Sequence, residues 1–428
     1  MANFELMNAR GVRDFLPEDS IMRQKLTDIF REIFERYGYS PLETPAIERF
    51  DVLSAKFAGG VEVLKEIFRM KDQGGRDLAL RYDLTVPMCK VVGMNPTLPK
   101  PFKRYQIQQV WRDGPIKLGR YREFTQCDAD IVGTKSMIAD AEVLAISEEV
   151  FRKLGLDVVI RVNNRKLLNG MLDYAGIREN KMDAILSIDK LEKFGMKSVR
   201  EELETKGFGK KETGKVIKVL KIRGENKGIL EKVGKMMKSG EGKEGVKELK
   251  ELLKYCELMG FKIQIDISLA RGLEYYTGPV YEIFAKKSKV TSSLAGGGRY
   301  DRMIGMFIGR GEYPATGISF GFEPILEALR EKKKETKKTV TQVLVIPIQT
   351  LEESLRIAKK LRDLGIKTEI DLLGRGISNN LSYANSLGIP YVVFVGRQEL
   401  AKKKVKLRDM KTGKEKMLKT GEIPKNIR

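Results

Sequence analysis

The sequence predicts an α+β protein in three parts. A sheet-containing core spans residues 1–330, a helical insertion lies within it at about 170–258, and a C-terminal α/β domain covers 341–428 beyond a basic linker at 331–340. Three observations carry this division. Short β-rich runs bounded by turn residues occur before residue 165 and again after 260. Between them lies a lysine-rich stretch with apolar residues at helical spacing and glycines as punctuation. After residue 343, strand-like and helix-like segments alternate, which is the signature of a small α/β unit.

The elements follow in order. Residues 20–37 set Ile21, Leu26, Ile29, Phe30, Ile33 and Phe34 on one helical face, and Gly38 ends that helix. Tyr39 to Ile47 contains Pro41 and Pro45, which cannot donate to a ladder, so an extended edge strand is expected. Strands are expected near 78–82 and 102–111, and over 121–131 after a turn at Gly114-Pro115. A helix near 137–154 and a strand over Leu156–Val162 precede the helical stretch of 165–256. Strands return at 261–267, 278–285 and 291–296, and a helix near 322–330 runs into the linker. In the last part, Val343–Ile348, Lys367–Leu372 and Tyr391–Gly396 predict strands, with helices over 351–364 and 376–387.

Composition narrows the function. With 428 residues, 42% hydrophobic and 32% charged, the chain is expected to be globular with substantial cores. No apolar run reaches the roughly 18 residues that cross a bilayer, so no membrane association is expected. The start Met1-Ala2-Asn3-Phe4-Glu5-Leu6 shows no basic region ahead of an apolar stretch, so no secretion signal is expected. Cys89, Cys127 and Cys256 are widely separated and histidine is absent, which argues against a bound metal or a disulfide framework and for a reducing cytoplasm. The formal charge is +22. Residues 206–254 hold fifteen Lys/Arg against seven Asp/Glu, 330–338 six against two, and 401–428 eleven against three. Three basic stretches on an otherwise almost neutral chain fit a polyanionic partner gripped at several points.

Absences exclude several chemistries. There is no phosphate loop of the G-x-x-x-x-G-K-[ST] type and no dinucleotide fingerprint after a strand. Nucleophile–histidine pairs are impossible. What recurs is arginine at strand-like positions: Arg81, Arg112, Arg120, Arg122, Arg271 and Arg299. Guanidinium forks match phosphate and carboxylate oxygens, and several near one sheet suit a triphosphate. The segment Arg271-Gly272-Leu273-Glu274-Tyr275-Tyr276-Thr277-Gly278 adds an arginine, a carboxylate and two tyrosines between glycines, a composition suited to a small polar ligand.

Taken together, these motifs resemble those of histidyl-tRNA synthetases, members of the class II aminoacyl-tRNA synthetases, over nearly the whole chain. The segment Leu80-Arg81-Tyr82-Asp83-Leu84-Thr85 resembles the family's loop for the substrate α-amino group, with Asp83 and Thr85 as the contacts implied. Val110-Trp111-Arg112, continuing through Gly119-Arg120-Tyr121-Arg122-Glu123-Phe124 to Gln126-Cys127-Asp128-Ala129-Asp130, resembles motif 2 in an archaeal or eukaryotic style. The resemblance implies that Arg112 grips the ATP α-phosphate and Arg120 the outer phosphates, that Gln126 holds the substrate backbone, and that Asp130 faces the imidazole. Residues 271–278 resemble the histidine-specific motif. They imply Arg271 as a second catalytic arginine beside Arg112, also contacting ATP, with Tyr275 and Tyr276 in the histidine pocket and Tyr276 bonding the imidazole. Gly296-Gly297-Gly298-Arg299-Tyr300-Asp301 resembles the strand that lines this pocket, Thr44-Pro45 the motif 1 proline of a homodimer interface, and 343–428 the anticodon-binding domain.

By this likeness the fold is a class II antiparallel sheet flanked by helices, and the function is that of a histidine–tRNA ligase. Its substrates are histidine, ATP with Mg2+ and histidine tRNA, and no bound organic cofactor is implied. Two positions depart from the family. Pro324 stands where motif 3 ends in arginine, leaving Arg302 and Arg310 as candidates to replace it, and Gly114 stands where motif 2 carries an acid, with Asp113 one residue earlier. The alternative is a non-catalytic, synthetase-like regulatory subunit that senses histidine.

Overall fold

The computed structural model describes residues 5–55, 64–116, 119–332 and 337–427. Residues 333–336 of the expected linker lie outside the described residues. The chain divides into two compact units, Met1–Arg13 with Thr27–Lys332, and Asp14–Leu26 with Lys333–Arg428.

In the first unit the helix α1 (Pro17–Arg36) contributes its second half. The strands begin with β1 (Ser40–Pro41) and β2 (Ile47–Arg49), so the expected edge strand is broken into two short pieces. The pieces follow Tyr39 and Pro45, where prolines withhold ladder donors. Helix α2 (Phe50–Leu53) and strands β3 (Arg69–Lys71) and β4 (Asp77–Leu80) come next, and β2, β4 and β3 form a small sheet of their own. Helix α3 (Thr85–Met94) follows, which the sequence reading did not anticipate. Then come β5 (Phe102–Trp111), β6 (Glu123–Val132), α4 (Met137–Lys153) and β7 (Val158–Asn164).

Six helices run from Arg165 to Leu258: α5 (Arg165–Ala175), α6 (Lys181–Asp189), α7 (Leu191–Thr205), α8 (Lys210–Leu220), α9 (Asn226–Met236) and α10 (Gly240–Leu258). They occupy the lysine-rich stretch expected to be helical. The unit finishes with β8 (Gln264–Ile265), β9 (Pro279–Ala285), β10 (Ala295–Arg299), α11 (Met303–Ile308), β11 (Ala315–Gly321) and α12 (Phe322–Lys332). The strand expected at 261–267 shrinks to two residues, and that expected at 291–296 moves to Ala295–Arg299. The glycine run is thus the strand itself and not its approach.

The main sheet has the order β1-β5-β6-β11-β10-β9-β7-β8. Every pairing from β5 to β7 is antiparallel, and only the two-residue edge strands β1 and β8 pair in parallel. One face carries an aromatic core. Phe30 and Phe34 of α1 and Phe151 of α4 are fully buried, and Phe320 of β11 lies 4.9 Å from Phe30 and 5.9 Å from Phe151 between ring centroids. Burying each such ring stabilises the sheet–helix contact by about 1.5–3 kcal/mol relative to exposure. Cys127, Ala129 and Ile131 of β6 are also buried, and by strand alternation their neighbours Gln126, Asp128 and Asp130 project from the opposite face. That opposite face holds the site.

The second unit is a five-stranded sheet built from β12 (Val343–Ile348), α13 (Leu351–Asp363), β13 (Thr368–Ile370), α14 (Ile377–Leu387), β14 (Tyr391–Gly396), α15 (Arg397–Ala401), β15 (Val405–Asp409) and β16 (Glu415–Leu418). Its order is β13-β12-β14-β15-β16, with the first three strands parallel and the last two antiparallel. The antiparallel hairpin was not foreseen, because its strands Val405–Asp409 and Glu415–Leu418 carry the basic residues that read as a tail. Helix α13 covers one face through Ala358 and Leu361, and α14 the other through Leu381, Ala384 and Leu387.

Candidate active site

A cavity of about 170 Å³ opens on the polar face of the main sheet. Its floor is made of glycines because three side chains lie flat against it. A methyl group at Gly296 would overlap the Arg271 guanidinium, one at Gly298 would press on the Tyr276 ring, and one at Gly317 would overlap the Asp130 carboxylate. Glycine inside a strand is explained by such close approach, and here it lets two segments cross the sheet at contact distance.

The acidic end rests on Arg104. This side chain is fully buried, and its Nη2 lies 2.8 Å from the Asp130 carboxylate directly across the β5–β6 ladder. The Tyr300 hydroxyl donates to Asp130 from the other side. Burial raises the Asp130 carboxyl, while Arg104 and then Tyr300 pull it down. Asp128, two residues back on the same face, is 1% exposed, and burial lifts its carboxyl to about 7. Asp83 precedes α3 and accepts the Val86 N–H at 3.0 Å, and burial lifts it to about 6. Gln126 donates through Nε2 to Ser319 Oγ at 2.9 Å, which leaves its Oε1 without a hydrogen-bond partner among the described residues.

The basic end holds two guanidiniums. Arg271 is anchored by Glu282 at 3.1 Å and sits 5.7 Å from the centre of the Tyr276 ring. Arg112 donates through Nε to the Tyr82 carbonyl at 2.9 Å and lies 5.2 Å from the centre of the Phe124 ring. Each keeps donors available for a ligand anion. The Tyr275 and Tyr276 rings pack tilted against each other, 4.6 Å between centroids.

Of the residues singled out from sequence, Asp83, Thr85, Arg112, Gln126, Asp130, Arg271, Tyr275 and Tyr276 all line this one cavity. Arg120 does not. It is half exposed and bonds Glu66 at 3.1 Å, on the turn that leads back into β6. The wider arginine pattern needs correction. Arg81 is buried, and its guanidinium is used by the backbone carbonyls of Gln109 and Thr44. Arg299 projects to the helical face and pairs with Asp140 and Asp301. Arg122 pairs with Asp113 at 2.9 Å. These three brace the scaffold.

Arg302 and Arg310, the candidates to replace the arginine absent at Pro324, do not line the cavity; Arg302 reaches Glu312 at 3.5 Å. The guanidinium that the fold brings to the segment before Pro324 is that of Arg13, which bonds Glu323 at 2.7 Å and lies 3.9 Å over the Tyr121 ring. Beside Gly114 stands the Glu66 carboxylate, in the space a side chain there would take. An acid from a different segment therefore occupies that corner. Asp128 and Arg104 were missed as site residues. The period-2 spacing of Gln126, Asp128 and Asp130 was signal enough for the first. Only strand register places the second.

An antiparallel sheet of this order, with arginines and carboxylates converging on one face, defines the catalytic unit of a class II aminoacyl-tRNA synthetase. The family model described as histidyl-tRNA synthetase matches residues 11–325, and that of the anticodon binding domain matches 342–428. The chain belongs to the histidyl-tRNA synthetase family.

Among similar proteins, histidine–tRNA ligase 1 of Bacillus cereus is 45% identical over 420 residues, covering 96% of this chain and 97% of that one. The histidine–tRNA ligase of Aeropyrum pernix is 41% identical over 397 residues, covering 91% and 90%. The crystal structure of histidyl-tRNA synthetase from Nostoc sp. superposes with a TM-score of 0.89 at 32% identity, over 99% of this chain and all of that one. A Bacillus halodurans structure titled as an ATP phosphoribosyltransferase regulatory subunit/histidyl-tRNA synthetase shares the fold at a TM-score of 0.76 and 22% identity.

Proposed function

We propose that this cavity is where the enzyme, a histidine–tRNA ligase, joins histidine to ATP. The observation that carries the reading is the cavity's polarity. Acceptors without partners among the described residues, Gln126 Oε1 and Asp128 Oδ1, stand with Asp130 at one end, and the guanidiniums of Arg112 and Arg271 stand at the other. Histidine has the matching dipole: an ammonium and a ring N–H to donate, and a carboxylate to be held.

In this reading Asp83, Thr85 and Gln126 take the α-ammonium, and Asp130 and Tyr276 take the two ring nitrogens, whose roles differ. Tyr275 walls the pocket. A site built to bond both nitrogens rejects amino acids lacking them by roughly 10⁴-fold or more. The histidine carboxylate oxygen attacks the α-phosphorus of ATP, which arrives with Mg2+, and pyrophosphate leaves. Arg112 and Arg271 neutralise charge on the α-phosphate as it develops, and Arg120, released from Glu66, meets the outer phosphates. A ribose hydroxyl at the 3′ end of histidine tRNA then attacks the adenylate carbonyl and releases AMP. Positioning and charge stabilisation suffice for both steps, so the absence of histidine from the chain is no obstacle.

The domain over 342–428 takes the anticodon stem-loop, the basic helices of 206–254 take another part of the tRNA, and the enzyme works in the cytoplasm as a homodimer joined near Pro45. Among the described residues no helix is long and apolar enough to cross a membrane. The test is histidine-dependent ATP–pyrophosphate exchange with the other standard amino acids as controls. Exchange with histidine alone supports the reading. Histidine binding without exchange points to the regulatory alternative.

A further inference from the structure

The segment Asn163-Asn164-Arg165 joins the main sheet to the helical stretch, ending β7 and beginning α5. Two of its side chains take up the backbone that leads into and through the Arg271 loop. Asn163 is fully buried, and its Nδ2 donates to the carbonyls of Ile267 at 3.0 Å and Leu269 at 2.8 Å. Arg165, also buried, donates through Nη2 to the carbonyls of Arg271 at 2.6 Å and Leu273 at 2.8 Å. Four carbonyls at every second residue are thus gripped by two side chains that are themselves two residues apart. Asn164 caps α5 by accepting the Lys166 N–H at 2.8 Å, so the helix that carries Arg165 starts at a fixed point. A methyl group at Gly272 would press on Leu186 of α6, so the loop also rests against the second helix of the insertion.

The two ends of the loop are held differently. At the Tyr276 end, the Thr277 N–H donates to the Arg299 carbonyl of β10 at 2.8 Å, and the Gly278 carbonyl accepts the backbone N–H of residue 165 at 2.8 Å. Neither bond needs the Arg165 side chain. At the Arg271 end the grip is the Arg165 guanidinium itself, a charged donor whose hydrogen bonds are stronger than those between neutral groups. Arg165 does not line the cavity.

We propose that Arg165 is a positioning residue for adenylate formation: from the first turn of the insertion it holds the backbone at Arg271, and so fixes where the Arg271 guanidinium meets the α-phosphate. Arg271 enters here as the phosphate donor assigned above, and the inference rests on that reading. With Glu282 fastening its guanidinium at 3.1 Å and Arg165 fastening its carbonyl, Arg271 is ordered before substrate arrives. A donor placed in advance costs no reorganisation at the moment of reaction.

The experiment measures kcat for histidine-dependent pyrophosphate exchange and the histidine Kd by titration calorimetry. It uses the full-length wild type, Arg165→Met, Arg271→Ala and the double variant. Arg165→Met should lower kcat about tenfold or more, since a misplacement of about 1 Å at a reacting group costs on the order of 10²-fold. The histidine Kd should stay at the wild-type value, because the tyrosine end of the loop keeps its own bonds. In the Arg271→Ala background, Arg165→Met should have no further effect on kcat, the mark of two residues acting as a unit. A Kd that rises in step with the loss of kcat, or the same fractional loss in both backgrounds, overturns the inference and leaves Arg165 a structural brace. Should Arg165→Met fail to fold, Arg165→Lys, which keeps the charge but not the fork, carries the same comparison with a smaller expected loss. Full activity of Arg271→Ala refutes the reading of Arg271 and the inference with it. An impaired Arg271→Ala beside a fully active Arg165 variant refutes the inference alone.

Discussion

The Arg271 guanidinium lies across Gly296, so that a single methyl group at residue 296 would overlap it. Gly296→Ala should therefore act as a mutation of Arg271. Its expected effect, like that of Arg271→Ala and Arg112→Ala, is a loss of about 10²-fold or more in pyrophosphate exchange, the usual cost of one transition-state donor. A Gly296→Ala enzyme that is folded and fully active would show that Arg271 has room to move and is not held for catalysis.

Arg104 and Asp130 form an ion pair sealed from solvent, 0% and 4% exposed at their side chains. Removing one partner strands the other charge. Arg104→Met should destabilise the first unit by about 3–5 kcal/mol, read from the shift of its urea midpoint. Unchanged stability would mean that Asp130 is satisfied by Tyr300 alone.

Asp128 and Asp83 titrate near 7 and 6, above the roughly 3.9 of a free aspartate. A carboxyl raised in this way binds its proton more tightly in the folded protein. Its contribution to stability is present in full below about 4 and is lost as pH rises through 6 and 7. Asp128→Asn should raise the thermal midpoint of the unliganded enzyme at pH 8 and change it little at pH 4. A gain of equal size at both pH values would refute the burial of a charge at this position.

The basic stretches predict tRNA affinity that falls steeply with salt. Replacing Lys402 and Lys403, both exposed in the second unit, with glutamine should reduce the slope of log K against log salt by about 1.5 if each meets a phosphate. Fluorescence anisotropy with labelled histidine tRNA measures the slope, and an unchanged value removes these lysines from the interface.

The chain contains no histidine, so a ribosome making it never waits for charged histidine tRNA. During histidine starvation its synthesis should continue while that of a variant carrying several added histidine codons stalls. Equal rates from both messages would make the absence a matter of composition alone.

Much of the site was legible because its residues sit in short contiguous motifs. Gln126 and Asp130 share a face by simple alternation, and Asp83 and Thr85 flank a helix start. Arginines were harder. Arg112, Arg81 and Arg299 look alike in sequence, yet only the first lines the cavity, because strand phase turns Arg299 toward Asp140 and backbone carbonyls claim Arg81. Strand β11 was missed for a related reason. Ala315–Gly321 carries two glycines, which weaken a strand signal, and one of them, Gly317, makes room for Asp130.

By itself the sequence determined the chemistry on hand: which side chains exist, their order in motifs, the segregation of basic charge and the exclusion of imidazole. The tertiary structure decided which of those groups meet. Arg104 faces Asp130, Ser319 faces Asp128 and Gly317 faces Asp130 only through the register of β6 with β5 and β11. Register between strands far apart in the chain is set by burying the aromatic face as a whole. A slip of one residue would turn that face to water and the carboxylates into the core.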